Sequence, residues 1–124
     1  MMMRRILAVD DNEDILEVMK LILEDFGYEV ETLADGHLLF DRVKESHPDL
    51  VLLDVMLGNI DGRELCREMK TRLETKDIPV ILISASHQVS ERFSLNGGAP
   101  DDFLAKPFNI SDLLEKVASH LTAA

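Results

Sequence analysis

Residues 6–12 read Ile-Leu-Ala-Val-Asp-Asp-Asn, four apolar residues that run straight into two carboxylates. An apolar run this short reads as a strand covered on both faces, and the charge at its end marks where the chain leaves the sheet. The pattern recurs. Leu50–Leu53 runs into Asp54, Val80–Ile83 into Ser84 and Phe103–Ala105 into Lys106. Glu29–Leu33 instead alternates apolar with polar residues, which places it at a sheet edge.

Between these strands lie amphipathic stretches of about three turns, the arrangement of repeated β-α units around a doubly wound parallel sheet. The first helix is expected from Glu13 to Phe26, with Ile15, Met19, Ile22 and Phe26 toward the core and Gly27 as its stop. The second follows Asp35. The third follows Asp61-Gly62 and carries Leu65, Met69 and Leu73 on one face. A fourth is expected near Val89–Leu95, before Gly97-Gly98-Ala99-Pro100 breaks the chain. The fifth is capped by Asn109 and turns Ile110, Leu113, Leu114, Val117 and Leu121 inward.

At 124 residues the chain has room for one domain, spanning 1–124 with no output domain, and its 46% hydrophobic and 30% charged residues fit an ordinary globular fold. Lys and Arg number 13 against 24 Asp and Glu, a net charge of −11. This excludes the basic face that direct nucleic-acid binding needs. The apolar runs are too short for a signal peptide or a membrane span. A single cysteine, Cys66, rules out an internal disulfide framework and fits a cytoplasmic protein. Its place on the third helix, between Leu65 and Met69, reads as a partly buried small residue. His37, His47, His87 and His120 lack metal-ligand spacing and read as surface residues.

In an open parallel α/β sheet, ligands bind beyond the carboxyl ends of the strands. That rule selects Asp10, Asp11, Asp54, Ser84 and Lys106. Converging carboxylates repel one another unless a cation joins them, and carboxylate oxygens with room for water and phosphate suit Mg²⁺. An aspartate can also accept a phosphoryl group as an acyl phosphate, with Lys106 and the Ser84 hydroxyl on the phosphoryl oxygens. Taken singly, Asp10 and Asp11 also read as helix caps, Lys106 as a surface lysine and Ser84 as a strand terminator. Asp54 has no such role, because the apolar residues before it make burial of its carboxylate costly without a partner. The first helix is apolar over about half its circumference, which reads either as a deeply buried helix or as one whose Leu16 or Met19, near the acidic site, packs against a partner helix.

Taken in order, Val9-Asp10-Asp11-Asn12, Leu53-Asp54-Val55-Met56 with Asp61-Gly62, Ile83-Ser84-Ala85 and Asp102-Phe103-Leu104-Ala105-Lys106-Pro107-Phe108 resemble the receiver domains of two-component response regulators. The resemblance implies a flavodoxin-like (β/α)5 fold with strand order 2-1-3-4-5. It implies Asp54 as the phosphorylated residue, Asp11 and Asp54 as direct Mg²⁺ ligands, Asp10 as a ligand through water, and the Met56 carbonyl as a further ligand. Ser84 and Lys106 would contact the phosphoryl oxygens, and Pro107 would follow a cis bond that aims the lysine. The implied partners are a sensor histidine kinase or histidine phosphotransferase, meeting the first helix, and a downstream protein on the face of helix four, strand five and helix five. The implied state is a monomer or a weak, phosphorylation-dependent homodimer. Such a protein is no turnover enzyme; it catalyses its own phosphorylation and dephosphorylation.

Three positions depart from the family's pattern. Phe103 lacks the hydroxyl of the family's switch aromatic, so a switch pairing it with Ser84 works through packing. Gly58 replaces a common proline, which suggests a looser loop, and the turn at Pro100 is one residue longer. Rival readings are a flavodoxin-like redox carrier, which the carboxylates after strand one disfavour, an aspartate-dependent phosphatase, whose second acid is replaced by Met56, and a receiver-shaped module that binds without phosphorylation.

Overall fold

The computed structural model describes residues 3–85 and 99–121. The helix expected near Val89–Leu95, and with it His87, lies outside the described residues. Strands β1 (Arg5–Val9), β2 (Glu29–Leu33), β3 (Leu50–Asp54), β6 (Val80–Ser84) and β7 (Asp102–Ala105) form one five-stranded sheet. All its pairings are parallel, in the order β2-β1-β3-β6-β7. This is the expected 2-1-3-4-5 order once a separate hairpin, β4 (Met56–Leu57) with β5 (Ile60–Asp61), is set aside. The alternating segment β2 does lie at the edge.

Among the described residues four α-helices pack on the sheet, α1 (Glu13–Asp25), α2 (Leu39–Ser46) and α3 (Gly62–Thr71) between strands and α4 (Ile110–Leu121) after the last one. Because strand side chains alternate in direction, the sheet divides the core in two. Leu7, Val9, Val51, Leu53 and Leu82 pack against α2 and α3 through Leu39, Val43, Leu65, Cys66 and Met69. Ile6, Ala8, Leu50, Leu52 and Ile83 pack against α1 and α4 through Leu16, Met19, Leu23, Leu113 and Val117. Each such side chain contributes roughly 1.5–3 kcal/mol relative to exposure.

The helix faces correct several expectations. On α1 the buried residues are Leu16, Met19 and Leu23, with Ile15 and Ile22 at the margin. Phe26 is the C-cap and points to solvent, since the chain has left the helix there. Leu16 and Met19 are therefore spent inside the core and cannot meet a partner; the outward apolar residues are Val18 and Leu21, 50% and 63% exposed. Leu73 lies beyond the end of α3 and is exposed, as is Ile110 in the opening turn of α4. Cys66 is fully rather than partly buried, and that burial pushes its thiol up to about 12, which leaves it inert. His37 and His47 are exposed as expected, but His120 is half-buried with Nε2 3.0 Å from Asp102 Oδ2. Among the described residues no helix is long and apolar enough to cross a membrane.

Candidate functional site

The parallel register sets which residues meet. Val9 pairs with Leu53, Asp54 with Ile83 and Ser84 with Ala105, so the central strands end nearly level. Asp10, Asp54, Ser84 and Lys106 therefore emerge at one edge of the sheet.

Asp10 is the first residue past β1 and has no exposed surface. Its Oδ1 accepts the Asn12 N–H at 2.9 Å and its Oδ2 accepts from Lys106 Nζ at 3.1 Å. Asp54 closes β3, nearly as deeply buried, with Oδ1 3.3 Å from the same Nζ. Asp11 is exposed, and its Oδ2 accepts the Gly58 N–H at 3.1 Å. One carboxylate oxygen from each of the three aspartates lies within 4.8 Å of the others.

The electrostatics of this cluster are unbalanced. Burial, and then the charge of Asp10, push the Asp54 carboxyl up from 3.8 to about 6; Lys106 and the Met56 N–H offset only part of this. Burial works against the charge on Lys106, but its hydrogen bonds and attraction to Asp10 and Asp54 prevail and raise its pKa, so the ammonium stays charged. Among the described residues one lysine thus pairs with two of the three clustered carboxylates. The donors are hard oxygens, close enough together to share an ion, and the missing positive charge is what a divalent cation carries. The residues fit Mg²⁺.

The remaining expected residues are close by in the fold. Ser84 is buried at the end of β6, and its carbonyl accepts the Lys106 N–H at 2.8 Å. The Lys106–Pro107 peptide is cis, as expected. Phe103 is half-buried and packs on the core cluster of α2 and α3. Met56 turns its side chain to solvent, while its N–H bonds the Asp54 carboxylate.

Three supporting residues carried no role in the sequence reading. Asn12 caps α1 through the N–H groups of Asp14 and Ile15 while its own N–H orients Asp10. Gly62 donates to the Val55 carbonyl at 2.7 Å, and a Cβ there would lie 2.0 Å from the Asp54 carbonyl oxygen. Asp61 caps α3 through the Arg63 N–H, and the hydrogen bonds from Arg63, foremost that of its side chain, outweigh burial and hold the Asp61 carboxyl below the usual range. Gly58 sits at φ +65 as the first residue of the β4–β5 turn, so the glycine shapes a hairpin where a looser loop was expected. The visible signals were the Gly58-Asn59 and Asp61-Gly62 pairs, both turn formers.

Comparison with known proteins agrees with this geometry. Residues 6–118 match the family described as response regulator receiver domain. The chain is 39% identical over 118 residues to the response regulator MprA of Mycolicibacterium vanbaalenii, covering 94% of this chain and 50% of that protein. It is 36% identical over 123 residues to the phosphate regulon transcriptional regulatory protein PhoB of Rhizobium meliloti, covering 99% and 54%. The chain thus spans about half the length of these relatives. Among solved structures, a response regulator of Chloroflexus aurantiacus superposes with a TM-score of 0.89 at 28% identity, covering 98% of this chain and all of that one. The response regulator TrrA of Thermotoga maritima, solved in complex with Mg²⁺ and BeF, gives 0.85 at 34% identity over 96% of this chain and all of that one.

Proposed function

The chain belongs to the response regulator receiver family of two-component systems, and from that premise we propose that it accepts a phosphoryl group on Asp54 in a Mg²⁺-dependent reaction and changes its partner-binding surface in response. The observation that carries the reading is Lys106 Nζ standing between two buried carboxylates, 3.1 Å from Asp10 and 3.3 Å from Asp54.

The donor is the phosphohistidine of a sensor kinase or phosphotransferase. An Asp54 carboxylate oxygen forms the bond to phosphorus as the phosphorus–nitrogen bond breaks, and the electron pair returns to the imidazole, which takes up a proton. Asp10, Asp11, Asp54 and the Met56 carbonyl would hold Mg²⁺, which when bound would supply positive charge to the phosphoryl oxygens. Lys106 holds a further phosphoryl oxygen through its ammonium, and Ser84 offers its hydroxyl to another. Phe103, without a hydroxyl, is coupled to Ser84 by packing as the partner-binding surface changes. The protein catalyses its own phosphorylation and dephosphorylation rather than turning over a substrate.

Val18 and Leu21 on α1, exposed and one turn apart, replace Leu16 and Met19 as the apolar contacts for the donor protein. The output passes to a downstream protein through the face that includes β7 and α4, in the cytoplasm, from a monomer or a weak homodimer formed on phosphorylation. Intact mass after incubation with acetyl phosphate tests the reading: one added phosphoryl group is expected, requiring both Mg²⁺ and Asp54. No adduct, and no uptake of the beryllofluoride mimic, would instead favour a receiver-shaped module that binds without phosphorylation.

A further inference from the structure

We infer that the backbone amide of Gly58 is a positioning group for Asp11, holding that carboxylate in its metal-binding pose; the inference rests on reading Asp10, Asp11 and Asp54 as the Mg²⁺ site. The three carboxylates are not held alike. Asp10 is buried and fixed by the Asn12 N–H and Lys106, and Asp54 is buried and fixed by Lys106 and the Met56 N–H. Asp11 stands exposed past the end of β1, and the Gly58 N–H reaches its Oδ2 across 47 residues of sequence.

That donor exists because of the turn. Gly58 occupies φ +65, in the left-handed region, as the first of two residues between β4 and β5. A Cβ at position 58 would meet nothing within 4 Å, so conformation rather than space calls for glycine. The hairpin is itself anchored, since Met56 pairs with Asp61 and Asp61 caps α3. Asp11 is thereby tied to a braced element. A carboxylate oxygen carries two lone pairs, so accepting one N–H leaves Asp11 with capacity for a cation. Hydrogen bonds to ligating carboxylates fix their orientation, and losing one typically weakens metal binding by 10- to 100-fold.

The test is a Mg²⁺ titration of the whole chain followed through its ¹⁵N–¹H amide signals, in the wild type and in two variants. Gly58→Pro removes the N–H and cannot adopt a positive φ; Gly58→Asn keeps the N–H and tolerates that φ. The expected result is affinity about tenfold weaker for Gly58→Pro and within roughly twofold of wild type for Gly58→Asn. Without Mg²⁺, the Gly58 amide proton should shift upfield in Asp11→Ala, the signature of a lost hydrogen bond. Unchanged affinity in Gly58→Pro, equal losses in both variants, or a Gly58 signal indifferent to Asp11→Ala would each overturn the inference. Failure of the site reading is distinguishable, because the wild type itself would then show no saturable Mg²⁺ response at residues 10, 11 and 54, and that result overturns both.

Discussion

Lys106 Nζ and Asp54 Oδ1 lie 3.3 Å apart at the carboxyl edge of the sheet, an ion pair between a residue that ends β3 and one that follows β7. The two roles open to this lysine, balancing the carboxylates and holding the phosphoryl group, separate on substitution. Lys106→Met removes a positive charge from the cluster, so Mg²⁺ binding should be undiminished or tighter, while phosphorylation by acetyl phosphate slows by about tenfold or more. Parallel loss of both would mean that the lysine acts by shaping the site.

Crowded carboxylates make the metal-free protein less stable than it need be. In the folded chain the Asp54 carboxyl titrates near 6, above its ordinary 3.8. A raised pKa contributes stability that is full below the ordinary value and is lost as pH rises through the folded one. Asp54→Asn should therefore stabilise the chain in EDTA at pH 7.5 by about 1–3 kcal/mol, with the gain shrinking toward pH 4. Urea unfolding at the two pH values checks this, and added Mg²⁺ should narrow the difference at pH 7.5.

Gly62 is required for a different reason from Gly58. A Cβ at 62 would come within 2.0 Å of the Asp54 carbonyl oxygen, a backbone atom that cannot step aside. Gly62→Ala should cost about 2–3 kcal/mol in urea unfolding and displace the segment that follows Asp54. An alanine variant of wild-type stability would show that α3 shifts freely against β3.

At the end of β7 away from Lys106, Asp102 accepts from Lys116 Nζ at 3.0 Å and lies 3.0 Å from His120 Nε2. Burial acts to raise the Asp102 carboxyl, but hydrogen bonds from His120 and Lys116 outweigh it and hold the group below its usual range. A lowered pKa gives stability present above the ordinary value and lost as pH falls through the folded one. Asp102→Asn should therefore destabilise the chain by about 1 kcal/mol at pH 7 and leave a shallower acid decline. Thermal unfolding from pH 7 to pH 3 reads both.

The five strands of the sheet were legible, four as short apolar runs closed by a polar residue and β2 by its alternation, and their observed boundaries differ from the expected ones by a residue at most. Asp54 belongs to β3 itself, since its register partner Ile83 continues the ladder. The helix faces were harder. On α1, apolar residues around half the circumference allowed two stripes, and packing on the sheet selects Leu16, Met19 and Leu23. Phe26, Leu73 and Ile110 fit the periodicity, yet they sit at or beyond helix ends, where the period no longer describes the chain. The two-residue strands β4 and β5 are too short for any pattern, so the Gly58–Asp11 contact could not be foreseen. The charged constellation itself was visible, because the rule about strand ends needs only their last residues. His120 was misjudged because its partner lies across a strand-to-helix packing that spacing alone does not reveal.

The central claim is that Asp54 carries the phosphoryl group. Borohydride reduction of the chain after incubation with acetyl phosphate and Mg²⁺ converts an acyl phosphate into an alcohol, marking the acceptor as homoserine in a peptide map. Homoserine at position 54, absent without Mg²⁺, is the expected result. Homoserine at position 10 or 11, or at none of the three, would contradict it.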